Sequence, residues 1–491
     1  MTLPRLLLSA THRSSGKTTI ALGLASALRS DGAVVQAFKK GPDYIDPMWL
    51  ALASGRPCYN LDPHLSTAGD IGARVAAASA GADLCLVEGN MGLHDGMALD
   101  GSNSNAALAR TLGLPVVLVI DARGMNRGIA PLLLGYQAFE RTIRIAGVVL
   151  NRVGGTRHES KLRAAVEHYT DVPVIGAVAE DRRLALAERH LGLVPCAETE
   201  GAAQWVAEVG RIVAAQVDLR RLRELAEAAL PWNPDSPQHT GTTVADAGQA
   251  VGAAGGLRIG IARDRAFGFY YADDLEALRR GGAELVFIDT LHDQRLPPLD
   301  GLFIGGGFPE TSLDELGANA ALRSELHAAI TAGLPTYAEC GGLMLLSRSV
   351  RFGDRVAPMV AVVPGDAVMQ ARPVGRGYIR LAETVDMPWP GGGPAPVLGH
   401  EFHHASLENL APGQRFAYRV ERGHGIDGRH DGIVLHNLLA GFAHLRQGAG
   451  SCWVQRFLQH VRSLTPRRAG SQRSDIQEPR FRGQPRLARA H

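Results

Sequence analysis

The sequence predicts two α/β units in tandem, an N-terminal doubly wound parallel sheet and a second α/β domain behind a linker. Three observations predict it. Short apolar runs alternate with segments of helical length from residues 6–9 to residues 335–338. A GKTT sequence follows the first apolar run, where a strand would turn into a helix. A lone cysteine, Cys340, stands between an apolar run and two glycines, the pattern of a strand, a sharp turn and a helix.

The chain has 491 residues, enough for two or three domains with their own cores. With 45% hydrophobic and 20% charged residues and a net charge of +2, it lacks the charge excess of a dedicated nucleic-acid binder. Its 58 glycines suit a fold with many tight strand-to-helix turns. Cys58, Cys85, Cys196, Cys340 and Cys452 are odd in number and contain no CxxC pair, which argues against a disulfide framework or structural zinc and for the cytoplasm. The apolar part of MTLPRLLLSA is too short for a signal peptide, and no apolar run reaches the length of a membrane span. A soluble protein with no membrane partner is expected.

Residues 6–9 read as a strand and residues 10–19 as a phosphate loop opening a helix, whose core side carries Ile20, Leu22, Leu24 and Leu28. Lys17 would reach the phosphates, backbone N–H groups would cradle them, and the Thr18 hydroxyl would hold Mg²⁺. Thr11, Gly16 and Thr19 complete the loop, although Ala10 and Thr11 stand where an early glycine is usual. The run at 34–38 leads into Lys39-Lys40-Gly41-Pro42-Asp43-Tyr44-Ile45-Asp46-Pro47. Here a glycine and two prolines frame two carboxylates in a rigid turn at the end of a strand, where α/β sheets bind ligands. A solvated turn is the plainer alternative.

Residues 82–87 form a third strand ending at Glu88, and an acid there, opposite a phosphate loop, is placed for a second metal contact. Asp95 follows in a glycine-rich loop as a contact to metal or substrate. Residues 114–121 and 145–150 are further buried strands, the second ending at Asn151, which by itself reads as a cap of the next turn. Residues 172–178 and Arg189–Leu193 close the first unit. A helix is expected over 203–230 and a Pro-, Gly- and Thr-rich linker over 231–256.

Residues 257–262, 285–288, 302–304 and 335–338 continue as a second sheet. The aromatic segment Phe267-Gly268-Phe269-Tyr270-Tyr271 reads as core and channel wall. At Cys340 the elbow exposes the thiol over a helix N-terminus, which favours the thiolate, while Gly341 and Gly342 let backbone amides approach an oxyanion. A buried structural cysteine is the alternative. Gly305-Gly306-Gly307 follows a strand upstream, and His444 is a base far downstream, as the members of such sites often are. The sequence His400-Glu401-Phe402-His403-His404 satisfies HExxH, but its Gly- and Pro-rich flanks lack the helical periodicity that a zinc peptidase needs. The Arg-rich residues 465–491 read as a disordered basic tail.

Taken together, these motifs resemble the class I glutamine amidotransferases of the cobyrinic (or hydrogenobyrinic) acid a,c-diamide synthase and cobyric acid synthase group. The resemblance rests on ECGG at Cys340, GGGFPE from Gly305, GFAHL around His444, KKGPDYIDP, EGNMGLHDG, RHLGL and GHEFHH, and spans about residues 3–460. It implies a dethiobiotin synthetase-like phosphate-loop domain over 1–200, a helix and linker over 201–256, an amidotransferase domain over 257–462 and a tail over 463–491. It further implies that Cys340 attacks the glutamine amide, His444 shuttles protons, and Gly306, Gly307 and Gly341 bind the oxyanion. ATP would contact Thr11, Gly16, Lys17, Thr18, Thr19 and Asn151; Mg²⁺ would contact Thr18, Asp43 and Glu88. Tyr44, Asp46 and Asp95 would meet a corrinoid tetrapyrrole whose a and c carboxylates are amidated, with a homodimer as one assembly left open.

The usual class I pattern places a carboxylate two residues after the histidine, where this chain has Arg446. The base must therefore be oriented by another group or work in a dyad. A nickel-sirohydrochlorin a,c-diamide synthase shares nearly every motif. Cobyric acid synthase shares the domain plan, although the GPDYIDP turn speaks against it. A non-catalytic phosphate-loop binding protein is the reading from a different class, and the intact Cys340 and His444 oppose it.

Overall fold

The structure, a computed structural model, describes residues 3–189, 192–232, 256–448 and 450–465. His190 and Leu191 of the RHLGL motif, linker residues 233–255 and tail residues 466–491 lie outside the described residues.

The first sheet is built from β1 (Arg5–Ala10), β2 (Val35–Lys40), β3 (Tyr59–Leu61), β4 (Leu84–Glu88), β5 (Val116–Asp121), β6 (Ile145–Val153) and β7 (Val174–Ala179). Their order is β3-β2-β4-β1-β5-β6-β7, with every pairing parallel. Strands covered by helices on both faces must be apolar on both, and the six residues of β1 and of β5 are buried throughout. The crossovers leave β1 to either side, so its C-terminal end opens onto the ligand crevice of a doubly wound sheet. The phosphate loop lies there, followed by helix α1 (Lys17–Ser30). Register sets Lys39 of β2 and Leu8 of β1 on either side of Glu88.

Two local expectations change. The carboxylates of the GPDYIDP segment do not share one turn: Asp43 precedes helix Ile45–Ser54, and Asp46 lies in its first turn. Pro47 is tolerated there because the first helical N–H groups have no intrahelical acceptor. The single helix expected over 203–230 is two, Ala202–Ala214 and Leu219–Glu227. Val217 bridges to Gly176 between them, and the Asp218 side chain accepts the Arg221 amide to start the second.

The second sheet has ten strands and is mixed rather than parallel throughout. Ala283–Ile288, Leu257–Ala262, Gly301–Ile304, Thr336–Glu339 and Leu438–Gly441 run parallel. His430–Leu435, Arg415–Arg422, Gly375–Glu383, Val397–His403 and His444–Leu445 then continue antiparallel. Leu438–Gly441 and His444–Leu445 are joined by two residues yet stand five places apart in the strand order. The antiparallel part therefore curls back on itself, which brings His444 to the end of the strand carrying Cys340.

Candidate active site

The first cluster forms where β2, β4 and the phosphate loop meet. Thr18 Oγ1 donates to Glu88 Oε1 at 2.7 Å and approaches Asp46 Oδ2 at 3.4 Å. Lys39 Nζ lies 2.5 Å from Asp46 Oδ2 and 3.0 Å from Glu88 Oε1. Burial opposes charge on Lys39, but Asp46 and Glu88 hold it protonated, above the ordinary lysine range. Burial pushes the Glu88 carboxyl up, and burial followed by the charge of Lys39 lowers Lys17 to about 8. Lys39 was not singled out by the motifs; its signal was the pair of lysines at the end of an apolar strand.

The cluster fits a divalent cation. Glu88 Oε2 is buried without a hydrogen-bond partner, beside the Thr18 hydroxyl. Among the described residues no three His, Cys, Asp or Glu side chains form a cage, and Mg²⁺ ordinarily needs only one or two carboxylates besides phosphate and water. Asp46, expected at the substrate, stands with Thr18 and Glu88. Asp43, expected at the metal, uses Oδ1 to accept the Ile45 and Asp46 amides, each at 3.0 Å. Burial and the neighbouring Asp46 raise its carboxyl to about 7.

Asn151 braces the loop from below, its Nδ2 donating to the Ser15 carbonyl at 2.9 Å. Gly16 has φ +85°, and a Cβ there would lie 2.2 Å from that nitrogen, so the position requires glycine. The Thr11 hydroxyl is buried without a partner. Thr19 reaches the Leu184 carbonyl at 3.4 Å, and Asp95 accepts the Gly92 amide at 2.9 Å.

The second cluster surrounds Cys340, whose φ of +49° is the strained turn of an elbow between Thr336–Glu339 and helix Gly341–Leu346. The thiol, expected at an exposed tip, is instead buried at 6% exposure, closed in by the packing around the elbow, and is hydrogen-bonded through its side chain with His444. Glycine is required alongside: a Cβ on Gly306 would lie 2.7 Å from His444 Cε1, and one on Gly341 would lie 3.0 Å from the Gly307 amide nitrogen. All three predicted oxyanion glycines thus converge on the Cys340–His444 pair.

The orienting group is Glu339. Its Oε2 lies 3.4 Å from His444 Nδ1, while Oε1 accepts Leu445 N at 2.8 Å and Tyr337 Oη at 2.5 Å. Burial alone would lower the His444 pKa, but the bonds to Cys340 and Glu339 raise it to about 10. An imidazolium beside the sulfur is the partner that stabilises a thiolate. Asp431 fixes the approach to His444 by accepting the Phe442 and Ala443 amides at 3.0 and 2.9 Å. The sequence signal for Glu339 was an acid immediately before the elbow; Asp431 had none.

Arg446 ties the two halves together. It bonds Asp273 at 2.9 and 3.1 Å and donates to the Asn60 carbonyl of the first unit. Tyr378 adds bonds of 2.9 Å to both Asp62 oxygens. The HEFHH segment lies in strand Val397–His403, not a helix, so its histidines lack the shared helical face of a zincin. His400 faces the catalytic pair instead, its ring 4.9 Å from that of His444 and inclined by 17°. Burial, then the charges of His444 and Arg446, hold it well below the ordinary histidine range. Tyr44 crosses the seam: its hydroxyl is 3.3 Å from His444 Nδ1, and its ring stacks on Phe269 at 5.3 Å.

A thiol, a base and an acid at a glycine-lined elbow can open an amide through a thioester; a phosphate loop with two buried carboxylates can bind a nucleotide and its metal. Comparison with known proteins agrees with both. The CobB/CobQ-like glutamine amidotransferase domain matches residues 258–450, and the CobQ/CobB/MinD/ParA nucleotide binding domain matches residues 8–194. The cobyrinate a,c-diamide synthase of Magnetococcus marinus is 44% identical over 92% of this chain and 96% of its own. Those of Methanosarcina acetivorans and a Synechocystis species are 39% and 37% identical, over 91% and 92% of this chain and 94% and 92% of theirs. Near-complete coverage at this identity, with both site halves in place, shows that the chain belongs to the cobyrinate a,c-diamide synthase family.

Proposed function

We propose that the protein is an ATP- and glutamine-dependent ligase that amidates the a and c side-chain carboxylates of cobyrinic or hydrogenobyrinic acid. The observation that carries this reading is that one short segment, Asp43–Asp46, borders both the phosphate-loop cluster and the Cys340–His444–Glu339 array.

Cys340 attacks the glutamine amide while the oxyanion develops toward the backbone around Gly306, Gly307 and Gly341. His444, held by Glu339, passes a proton to the leaving nitrogen, giving ammonia and a glutamyl thioester. Water attacks the thioester, with His444 taking its proton, and glutamate leaves. In the other cluster Lys17 and the loop amides hold the ATP phosphates. Thr18, Glu88 and Asp46 would hold Mg²⁺, which supplies charge neutralisation at the phosphates when bound. A substrate carboxylate attacks the γ-phosphate, ADP leaves, and ammonia displaces phosphate from the acyl phosphate to give the amide. A carboxylate is a poor electrophile, so this activation is required. The acyl phosphate is lost if water reaches it, and the buried seam of Tyr44, Phe269 and Tyr271 supports a water-poor passage for ammonia between the clusters. All five cysteines are free thiols, in keeping with a cytoplasmic setting, and among the described residues no helix is long and apolar enough to cross a membrane.

Mass spectrometry of cobyrinic and hydrogenobyrinic acids after incubation with the protein, Mg-ATP and glutamine tests the reading. A diamide with stoichiometric ADP is expected from one of them. No conversion of either, with glutamine hydrolysis intact, overturns the substrate and leads to nickel-sirohydrochlorin next.

A further inference from the structure

The loop over residues 90–103 begins two residues after Glu88 and is tied at both ends by one buried side chain. Lys40 Nζ donates to Asn90 Oδ1 at 3.0 Å and to the Asn103 carbonyl at 2.6 Å. Asn103 Oδ1 in turn accepts the Met97 amide at 2.9 Å. The loop is thus held in shape, yet it turns Met91, Met97 and Leu99 out to solvent. Met91 does so at φ +44°, a left-handed conformation that is unfavourable for a residue with a Cβ. Three exposed apolar side chains on a braced loop give the phosphate-loop cluster an apolar rim.

The amidotransferase domain meets this rim with cations. Alternate residues of a strand share a face, so Arg376, Tyr378 and Arg380 of strand Gly375–Glu383 point the same way. Tyr378 shows which way that is: its hydroxyl bonds Asp62 of the first unit, and its ring lies 4.1 Å from that of His64. Arg422, on the neighbouring strand, stands in register with Arg380. Arg380 is committed to Glu421 at 3.0 Å. Arg422 reaches across to the loop, its Nη2 3.9 Å from Met97 Sδ, and Arg376 lies over the Phe402 ring at 5.6 Å. Both are exposed, and among the described residues neither is paired with a carboxylate. A thioether and an aromatic ring supply no counter-charge, so both forks are free to take carboxylates from outside.

We propose that the macrocycle docks in this mouth between the two domains, with Arg422 and Arg376 holding carboxylates that are not amidated and Met97 meeting the apolar ring. This rests on the ligase reading above and names side chains of the amidotransferase domain as part of the ligase substrate site. Charge complementarity argues for this occupant. Cobyrinic and hydrogenobyrinic acids are flat apolar rings rimmed with carboxylates, and the mouth joins an apolar rim to two unpaired cations beside the phosphate-loop cluster. Arg376 is four positions from the residue that Arg422 faces, about 13 Å along the strand. The two can therefore engage different side chains of one ring.

The test is equilibrium dialysis of the full chain against whichever of the two acids the wild type converts. Arg422→Gln should weaken binding about 10- to 100-fold, the loss of a charge-assisted hydrogen-bonded pair. Arg422→Lys keeps the charge without the fork and should recover part of it. Arg376→Gln should weaken binding in the same sense, and salt should raise the wild-type Kd more steeply than that of either glutamine variant. Should Arg422→Gln fail to fold, Met97→Glu decides: the new carboxylate on the exposed loop pairs with Arg422 and must weaken binding as well. A wild-type Kd in Arg422→Gln, or in Met97→Glu where that variant decides, overturns the proposal. No diamide from wild type strikes the ligase reading and this proposal with it, whereas diamide formation by wild type with an unchanged Kd in the variants strikes this proposal alone.

Discussion

Glu339 Oε2 lies 3.4 Å from His444 Nδ1, so the acid that orients the base comes one residue before the nucleophile instead of two residues after the base. The position two residues after the base holds Arg446, which pairs with Asp273 and ties the domains by donating to the Asn60 carbonyl. Glu339→Gln should lower glutaminase kcat by up to about 10⁴-fold, the loss that follows when the orienting carboxylate of a triad becomes an amide. The His444 pKa should fall from about 10 toward its ordinary value. Steady-state glutaminase assays with the imidazole followed by NMR check this; an unchanged kcat would remove Glu339 from the array.

Cys340→Ser should abolish glutamine-dependent amidation while ammonium chloride still supports diamide formation, because the nucleophile serves only nitrogen release. Mass spectrometry of the product with each nitrogen source is the measurement. Surviving glutamine-dependent turnover would show that Cys340 is not the nucleophile.

Lys39→Met should destabilise the ligand-free protein by about 3–5 kcal/mol, since Asp46 and Glu88 would be left as buried carboxylates without their counter-charge. Glu88 already has a raised pKa, so protonation relieves the repulsion and the deficit should shrink as pH falls. Urea unfolding at pH 8 and pH 5.5 reads both effects, and an equal deficit at the two values would contradict the pairing.

His400 is held well below the ordinary histidine pKa by burial, then by His444 and Arg446. Below pH about 6.5 the unfolded chain binds a proton at this residue that the folded chain refuses. Stability from this residue is thus fully present above pH about 6.5 and is lost as the pH falls. Replacing it with asparagine should flatten the pH dependence between pH 6.5 and 5 by up to about 1.4 kcal/mol per pH unit. Denaturant midpoints of both proteins across that window are the check; parallel curves would mean that His400 is protonated in the folded state.

The sequence by itself determined six of the seven strand runs of the first sheet, all but the three-residue Tyr59–Leu61, with the phosphate loop and the elbow at Cys340. Each is a local matter: a strand buried on both faces is a continuous apolar run, and a loop or elbow is set by a few consecutive residues. Only the tertiary structure decided which groups serve those elements. The partner of His444, the contact of Tyr44 with it across 400 residues, the stacking of His400 and the work of Arg446 all depend on a sheet that curls back and on two domains that meet. The break between Ala202–Ala214 and Leu219–Glu227 has the same origin, since Val217 leaves the helix to pair with Gly176. Periodicity reports how a segment buries its own face, whereas the partner of a buried charge is chosen by whatever the fold brings beside it.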